Sequence, residues 1–174
     1  MAPFRASCGI VVCALLLMGA DAQSSEPSPE PQGVVEQLHA SLLDVMKRAD
    51  ELGYDGRYEA LTPVVRRSFD FPFMARLALG RDFRSLEEPD QARWVAAFEE
   101  LSLSTYAGRF DGWSGQAFET VEVEDAAHGT KLVKTRLLSP DEDPVLLNYR
   151  VRPSGSWRII DIYLGGTVSE VALR

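Results

Sequence analysis

Apolar residues recur at three- and four-residue spacing from Val34 onward. Val35, Leu38, Leu42, Val45, Met46, Ala49 and Leu52 share one stripe, and Glu36, Asp44, Lys47, Arg48 and Glu51 take the other side. That period predicts an amphipathic helix over residues 34–52, stopped by Gly53 just after its end. Short helical pieces follow. Asp55 is placed to cap a turn over residues 58–61, and Thr62-Pro63 sets a cap and a first-turn proline for a restart. Asp70-Phe71-Pro72 repeats that signal and opens a helix through Phe73, Met74 and Leu77 that ends at Gly80. Ser85 and Glu88 have capping-box spacing. From there a helix is predicted to about Tyr106, burying Trp94, Phe98, Leu101 and Thr105.

After Gly115 the period falls to two. Strands are predicted over residues 116–123, 131–138, 145–151 and 157–164. The connections, 125–129, 139–144 and 153–156, are short and rich in Gly, Pro, Asp and Ser, so neighbouring strands pair antiparallel. Helices first and strands last give an α+β class: N-terminal helices packed on one face of a curved, mainly antiparallel, four-stranded sheet. One face of that sheet is rich in large side chains. Val133, Thr135 and Leu137 share it in the second strand, and Val145, Leu147, Tyr149 and Val151 in the third. In the fourth, strict alternation puts Ile160, Ile162 and Leu164 on one face and Trp157, Ile159, Asp161 and Tyr163 on the other. Such a surface serves either a thick helix-on-sheet core or a cavity for an apolar ligand, and periodicity leaves both open.

The amino terminus reads as an address. Arg5 precedes an apolar run over residues 6–20, and Ala20-Asp21-Ala22 is a small-x-small site. This is the order of a secretory signal peptide over residues 1–22, with the mature chain starting at Gln23. The run is shorter than the roughly 20 residues that a membrane span needs. Cys8 and Cys13 both lie inside it, so the exported domain carries no disulfide and no thiolate metal site, and neither follows a lipid-attachment pattern. Residues 23–33 hold three prolines and three serines with no apolar residue, the composition of a flexible leader to a single domain over 34–174.

Composition narrows the function classes. Of 174 residues, 45% are hydrophobic and 25% charged, which suits one globular domain. The formal net charge is -8 and stays so when Arg5 and Asp21 are removed with the signal. An acidic chain of this kind is a poor phosphate-backbone binder, and net charge alone does not hold it on an anionic membrane. No nucleic-acid partner is therefore expected. His39 and His128 are isolated, so no metal site is expected and no cofactor is called for. Gly165-Gly166 stands alone after a strand, and no Gly-x-Ser-x-Gly elbow is present. Asp161, between apolar neighbours, is either a general base with a raised pKa or a structural carboxylate paired or facing solvent. Arg76, Arg81 and Arg84 either meet a ligand phosphate or carboxylate, or pair with Asp82 and Glu87 on the surface.

Three segments carry a resemblance. Phe71-Pro-Phe-Met-Ala-Arg-Leu-Ala-Leu-Gly80 is similar to the helix and Leu-Gly signature of the toluene-tolerance, or MlaC, family of periplasmic lipid carriers. Pro89-Asp-Gln-Ala-Arg-Trp-Val-Ala-Ala-Phe98 with Ser104-Thr-Tyr-Ala107 resembles that family's Gln-x-Arg-Phe helix and its Thr-Tyr-Ala. Trp157-Arg-Ile-Ile-Asp-Ile-Tyr-Leu-Gly-Gly-Thr-Val-Ser169 resembles its Trp-Lys-Ile-x-Asp-Val strand and Gly-x-Ser. Gly56-Arg-Tyr58, Phe110-Asp-Gly112 and Asn148-Tyr149 look closest to its hopanoid-associated HpnM branch.

The resemblance implies an NTF2-like fold around an apolar cavity, without catalytic residues. It implies a soluble periplasmic carrier of phospholipid or hopanoid-type lipid. Its partners would be an outer-membrane lipid complex and an inner-membrane ABC transporter, with only transient membrane contact. Family members continue past the position of Arg174 into C-terminal helices, which this chain is expected to lack. The residues expected to touch the lipid are Phe73, Leu77, Phe98, Leu101, Tyr106, Val133, Leu147, Tyr149, Ile160 and Ile162. Asp161 occupies a position read as structural in that family. The rival readings are a small NTF2-like enzyme, an isomerase or dehydratase using Asp161 as general base, and an adaptor with no ligand.

Overall fold

A computed structural model describes residues 30–169 and Val171. The signal peptide and most of the leader lie outside the described residues. Four α-helices precede five strands: α1 (Pro31–Lys47), α2 (Ala49–Ser68), α3 (Phe71–Leu79), α4 (Glu88–Arg109), β1 (Ala117–Ala126), β2 (Thr130–Ser139), β3 (Glu142–Ser154), β4 (Ser156–Leu164) and β5 (Val168–Ser169). The α+β order is as expected. The sheet has five strands, not four, in the order β1-β2-β3-β4-β5 with every neighbour antiparallel. The fifth is only two residues long, too short for a periodicity to declare.

α1 begins three residues early. Pro31 stands in its first turn, where a missing N–H costs nothing, and Gly33 and Val34 are already buried. Val35, Leu38, Leu42 and Val45 then face inward along a stripe that lies across β1 to β4. Full burial of each such side chain contributes about 1.5–3 kcal/mol. The helix expected to continue to Leu52 breaks at Arg48, and Gly53 (φ 60°) kinks the start of α2. No restart occurs at Thr62-Pro63. α2 runs through Pro63, because Leu61, Val64 and Val65 all reach the core from that continuous turn. The loss of one helical hydrogen bond there is offset by their burial.

Asp70 caps α3 as its spacing predicts, accepting from the Phe73 N–H at 3.1 Å, and Gly80 (φ 62°) ends the helix. Asp70 also pairs with Arg152 of β3 at 2.7 Å, and its N–H donates to the Ile159 carbonyl, so Phe69 and Asp70 cover part of the β4 edge. The capping box at Ser85 does not form. Ser85 ends a 3-10 turn (Asp82–Ser85), and α4 starts behind it with Pro89 in its first turn. α4 buries Phe98, Ser102, Leu103 and Ala107, while Leu101 points to solvent.

Bulges in β1 and β4 reset the strand faces, and a third register shift lies between Leu137 and Ser139 beside the β2-β3 turn. Val121 is the extra residue in β1 and Ile160 the extra residue in β4. Either side of Ile160, Ile159 is opposite Val151 and Ile162 opposite Tyr149, so both enter the helix-side core. The expected grouping of Ile160 with Ile162, and of Asp161 with Trp157, is therefore corrected. β1 forms one edge of the sheet, and its carboxylates pair with cations of β2: Glu119 with Arg136 at 2.7 Å, Asp125 with Lys131 at 2.6 Å, and Glu122 and Glu124 with Lys134. Among the described residues no helix is long and apolar enough to cross a membrane.

Candidate functional site

The last turn of α4 and the paired ends of β3 and β4 do not close completely on one another. α4 brings Thr105, Tyr106, Arg109 and, just past its end, Phe110. β3 brings Leu147 and Tyr149, and β4 brings Ile162 and Leu164. These eight residues line a cavity of about 70 Å³. The strand residues meet in pairs across the ladder, Leu147 opposite Leu164 and Tyr149 opposite Ile162. The bulge at Ile160 makes this possible, because it turns Ile162 and Leu164 toward the helices while keeping Ile159 in the core.

The walls are aromatic. Ring centroids run from Phe69 to Tyr106 (5.7 Å), Phe110 (5.7 Å) and Phe118 (6.4 Å), and on to His39 (3.9 Å) and Tyr149 (5.2 Å). His39 lies flat on Phe118, and its Nε2 is 3.0 Å from the Tyr149 hydroxyl. His39 is only 4% exposed, and burial lowers its pKa to about 3, so the imidazole is neutral at physiological pH. A neutral imidazole can satisfy the tyrosine hydroxyl without setting a charge beside the apolar space. Among the described residues no cluster of His, Cys, Asp or Glu could hold a metal ion.

Four of the residues expected to touch a ligand line this cavity: Tyr106, Leu147, Tyr149 and Ile162. Phe98 and Val133 are sealed in the helix-sheet core. Ile160 sits in the bulge, buried but outside the helix-side cluster. Leu77 (50% exposed) and Leu101 (54% exposed) face solvent from α3 and α4, and Phe73 lies under the guanidinium groups of Arg76 and Arg152. The chain pattern missed Thr105, Arg109, Phe110 and Leu164 as lining residues. Alternation places Leu164 on the strand face of Ile162, and Phe110 stands just beyond the predicted helix, which ends near Tyr106.

Asp161 stands opposite Arg150 in the ladder and alternates away from the cavity. Its Oδ1 accepts from the Ile162 N–H at 2.8 Å and the Val171 N–H at 3.2 Å, and its Oδ2 from the Ser169 hydroxyl at 2.6 Å. The carboxylate thus ties β5 and Val171 onto β4. That is a structural duty, and it leaves a general base with nothing to act on in the cavity.

A model described as MlaC protein matches residues 36–174. The chain belongs to the MlaC family. A solved structure of similar fold is a phospholipid-binding protein from Ralstonia solanacearum, in complex with a phospholipid. The two superpose with a TM-score of 0.72 at 21% identity, over 83% of this chain and 82% of that one. No curated protein shows a significant match. The MlaC membership agrees with the layer order and with the apolar, ring-lined character of the cavity.

Proposed function

We propose that this protein is a non-enzymatic lipid carrier whose cavity takes the apolar chains of a phospholipid or hopanoid-type lipid. The observation that carries the reading is the aromatic cavity between α4 and the β3-β4 ends in a chain of the MlaC family. Tyr106, Phe110, Leu147, Tyr149, Ile162 and Leu164 are its contact residues. On this reading the fold is NTF2-like, the chain stands nearest the HpnM branch, and the signal peptide over residues 1–22 sends it to the periplasm. There it exchanges lipid with an outer-membrane complex and an inner-membrane ABC transporter.

Volume sets a condition on the mechanism. An engineered apolar cavity of about 150 Å³ takes one benzene ring. The cavity here, about 70 Å³, has room for only a few methylene groups. Loading a whole acyl chain requires the walls to part, and the Tyr106-Phe110 end of α4 is the wall that can move without breaking the strand ladder. Each methylene withdrawn from water then contributes about 0.8 kcal/mol.

The test is mass spectrometry of organic extracts from purified protein, together with transfer of a fluorescent phospholipid between vesicles. Wild type is expected to co-purify with lipid. Leu147→Lys, folded by circular dichroism, is expected to lose it, whereas Leu101→Lys on the outer face of α4 keeps it. Empty wild-type protein that transfers no lipid, or a folded Leu147→Lys with unchanged lipid content, overturns the reading.

A further inference from the structure

A second surface lies at the C-terminal end of α3 and the 3-10 turn behind it. Leu77 is half exposed and lines a shallow depression together with Arg76, Gly80, Arg81 and Arg84. Expected surface pairing with Asp82 and Glu87 does not form: none of these arginines makes a side-chain ion pair among the described residues. Arg76 instead lies over the Phe73 ring, 5.4 Å from its centroid. Asp82 is the single carboxylate in residues 76–86, so this stretch is locally basic in a chain whose net charge is -8. Six cations elsewhere, Arg48, Arg66, Arg93, Lys131, Lys134 and Arg136, face carboxylates, and Arg57, Arg150 and Arg158 donate to backbone carbonyls.

From this we infer that the Arg76-Leu77-Arg81-Arg84 patch docks the protein on an anionic phospholipid surface. Three guanidiniums around one exposed leucine match a layer of phosphates over acyl chains: the leucine enters the interface while the cations stay at headgroup level. An acidic peptide would use the charges and leave the leucine idle. Each cation near an anionic bilayer is worth about fivefold in binding, so three give roughly a hundredfold. The net negative charge opposes approach at long range, and this keeps the contact weak, oriented and reversible. The patch is set off from the cavity. The α3 end is pinned near Trp94, whose indole N–H donates to the Ala75 carbonyl, and Thr105 at the cavity lies about 16 Å further along α4. Docking and loading are therefore separable, and the proposal does not rest on what fills the cavity.

The test is co-sedimentation of the purified protein with vesicles containing about one-third phosphatidylglycerol, and with pure phosphatidylcholine vesicles. Wild type is expected to bind the first and not the second, and to release as salt shortens the screening length from about 30 Å to about 8 Å. The triple variant Arg76→Gln/Arg81→Gln/Arg84→Gln is expected to bind at least about tenfold more weakly. Leu77→Ser is expected to lose a further severalfold. Arg48→Gln/Arg66→Gln/Arg136→Gln makes the same change in net charge away from the patch and is expected to stay within about twofold. Equal losses in the two triple variants overturn the inference, as does wild type that ignores phosphatidylglycerol vesicles. Capture on an immobilised poly-glutamate peptide with no vesicle binding also overturns it, in favour of an acidic protein partner. Lipid co-purification in the patch variant reads the cavity separately.

Discussion

The buried His39 makes stability depend on pH in a defined direction. Its pKa falls from 6.5 in the unfolded chain to about 3 in the fold, because burial penalises the imidazolium. Between those values the unfolded chain holds the proton and the folded chain does not, so stability is full above pH 6.5 and is lost as pH falls toward 3. From about pH 7.5 to about pH 5 the linkage integral is about 2 kcal/mol. That is a large share of the 5–15 kcal/mol typical of a domain. The matched perturbation is His39→Phe. Phenylalanine keeps a ring against Phe118 and cannot titrate, but it gives up the bond to the Tyr149 hydroxyl. That loss costs about 1 kcal/mol at every pH. The assay is urea unfolding of both proteins at the two pH values, the pH-dependent difference being the quantity of interest. Wild type should lose about 2 kcal/mol more than the variant over that window. Equal losses would mean that His39 is not held neutral in the fold, and the ring stack beside the cavity would have to be redrawn.

Two further outcomes follow from carboxylates that hold elements together. Asp161→Asn should lower stability by about 1–2 kcal/mol in urea unfolding and leave lipid content unchanged, because its bonds go to the Ser169 hydroxyl and the Ile162 and Val171 backbone N–H groups, and its side chain points away from the cavity. Asp70→Ala removes both the cap of α3 and the partner of the half-buried Arg152. It should lower the urea midpoint by the equivalent of about 2–3 kcal/mol, and Asp70→Asn, which keeps the cap, should recover part of that.

The elements that could be read from the chain were those where one signal dominated. The α1 stripe puts all its large apolar residues within one face, so its burial follows from spacing alone. The Asp70-Phe71-Pro72 start of α3 is local chemistry and needs no tertiary information. α4 is different. Trp94, Val95, Phe98, Leu101 and Leu103 fall on several sides of the helix, so its sequence does not choose a face, and packing against α2 and α3 decides that Leu101 stays outside. Pro63 gives a start signal that the burial of its neighbours overrules. The cavity was half legible for a single physical reason. Strict alternation holds only while the ladder is regular, and one extra residue at Ile160 reverses every side-chain direction behind it. Tyr149 and Leu147 lie on the regular strand and were found. Ile160 is the residue the bulge takes away: alternation groups it with Ile162 and Leu164, and the extra residue lifts it off their face, while Phe110 follows a helix end that no periodicity fixes.

The acidic edge of the sheet has a consequence for life at high concentration. An open edge strand offers a row of unsatisfied backbone groups to any other strand, and two identical edges are well placed to zip together. Here the edge is β1, and it carries Glu119, Glu122, Glu124 and Asp125 within ten residues. Inside one molecule their charges are matched by Lys131, Lys134 and Arg136 on β2. When two molecules meet edge to edge, each β1 finds only another β1, and carboxylate confronts carboxylate with the neutralising cations one strand behind. The same side chains that lace the sheet internally thus act as a fence between copies, setting like charges against any β1-to-β1 pairing.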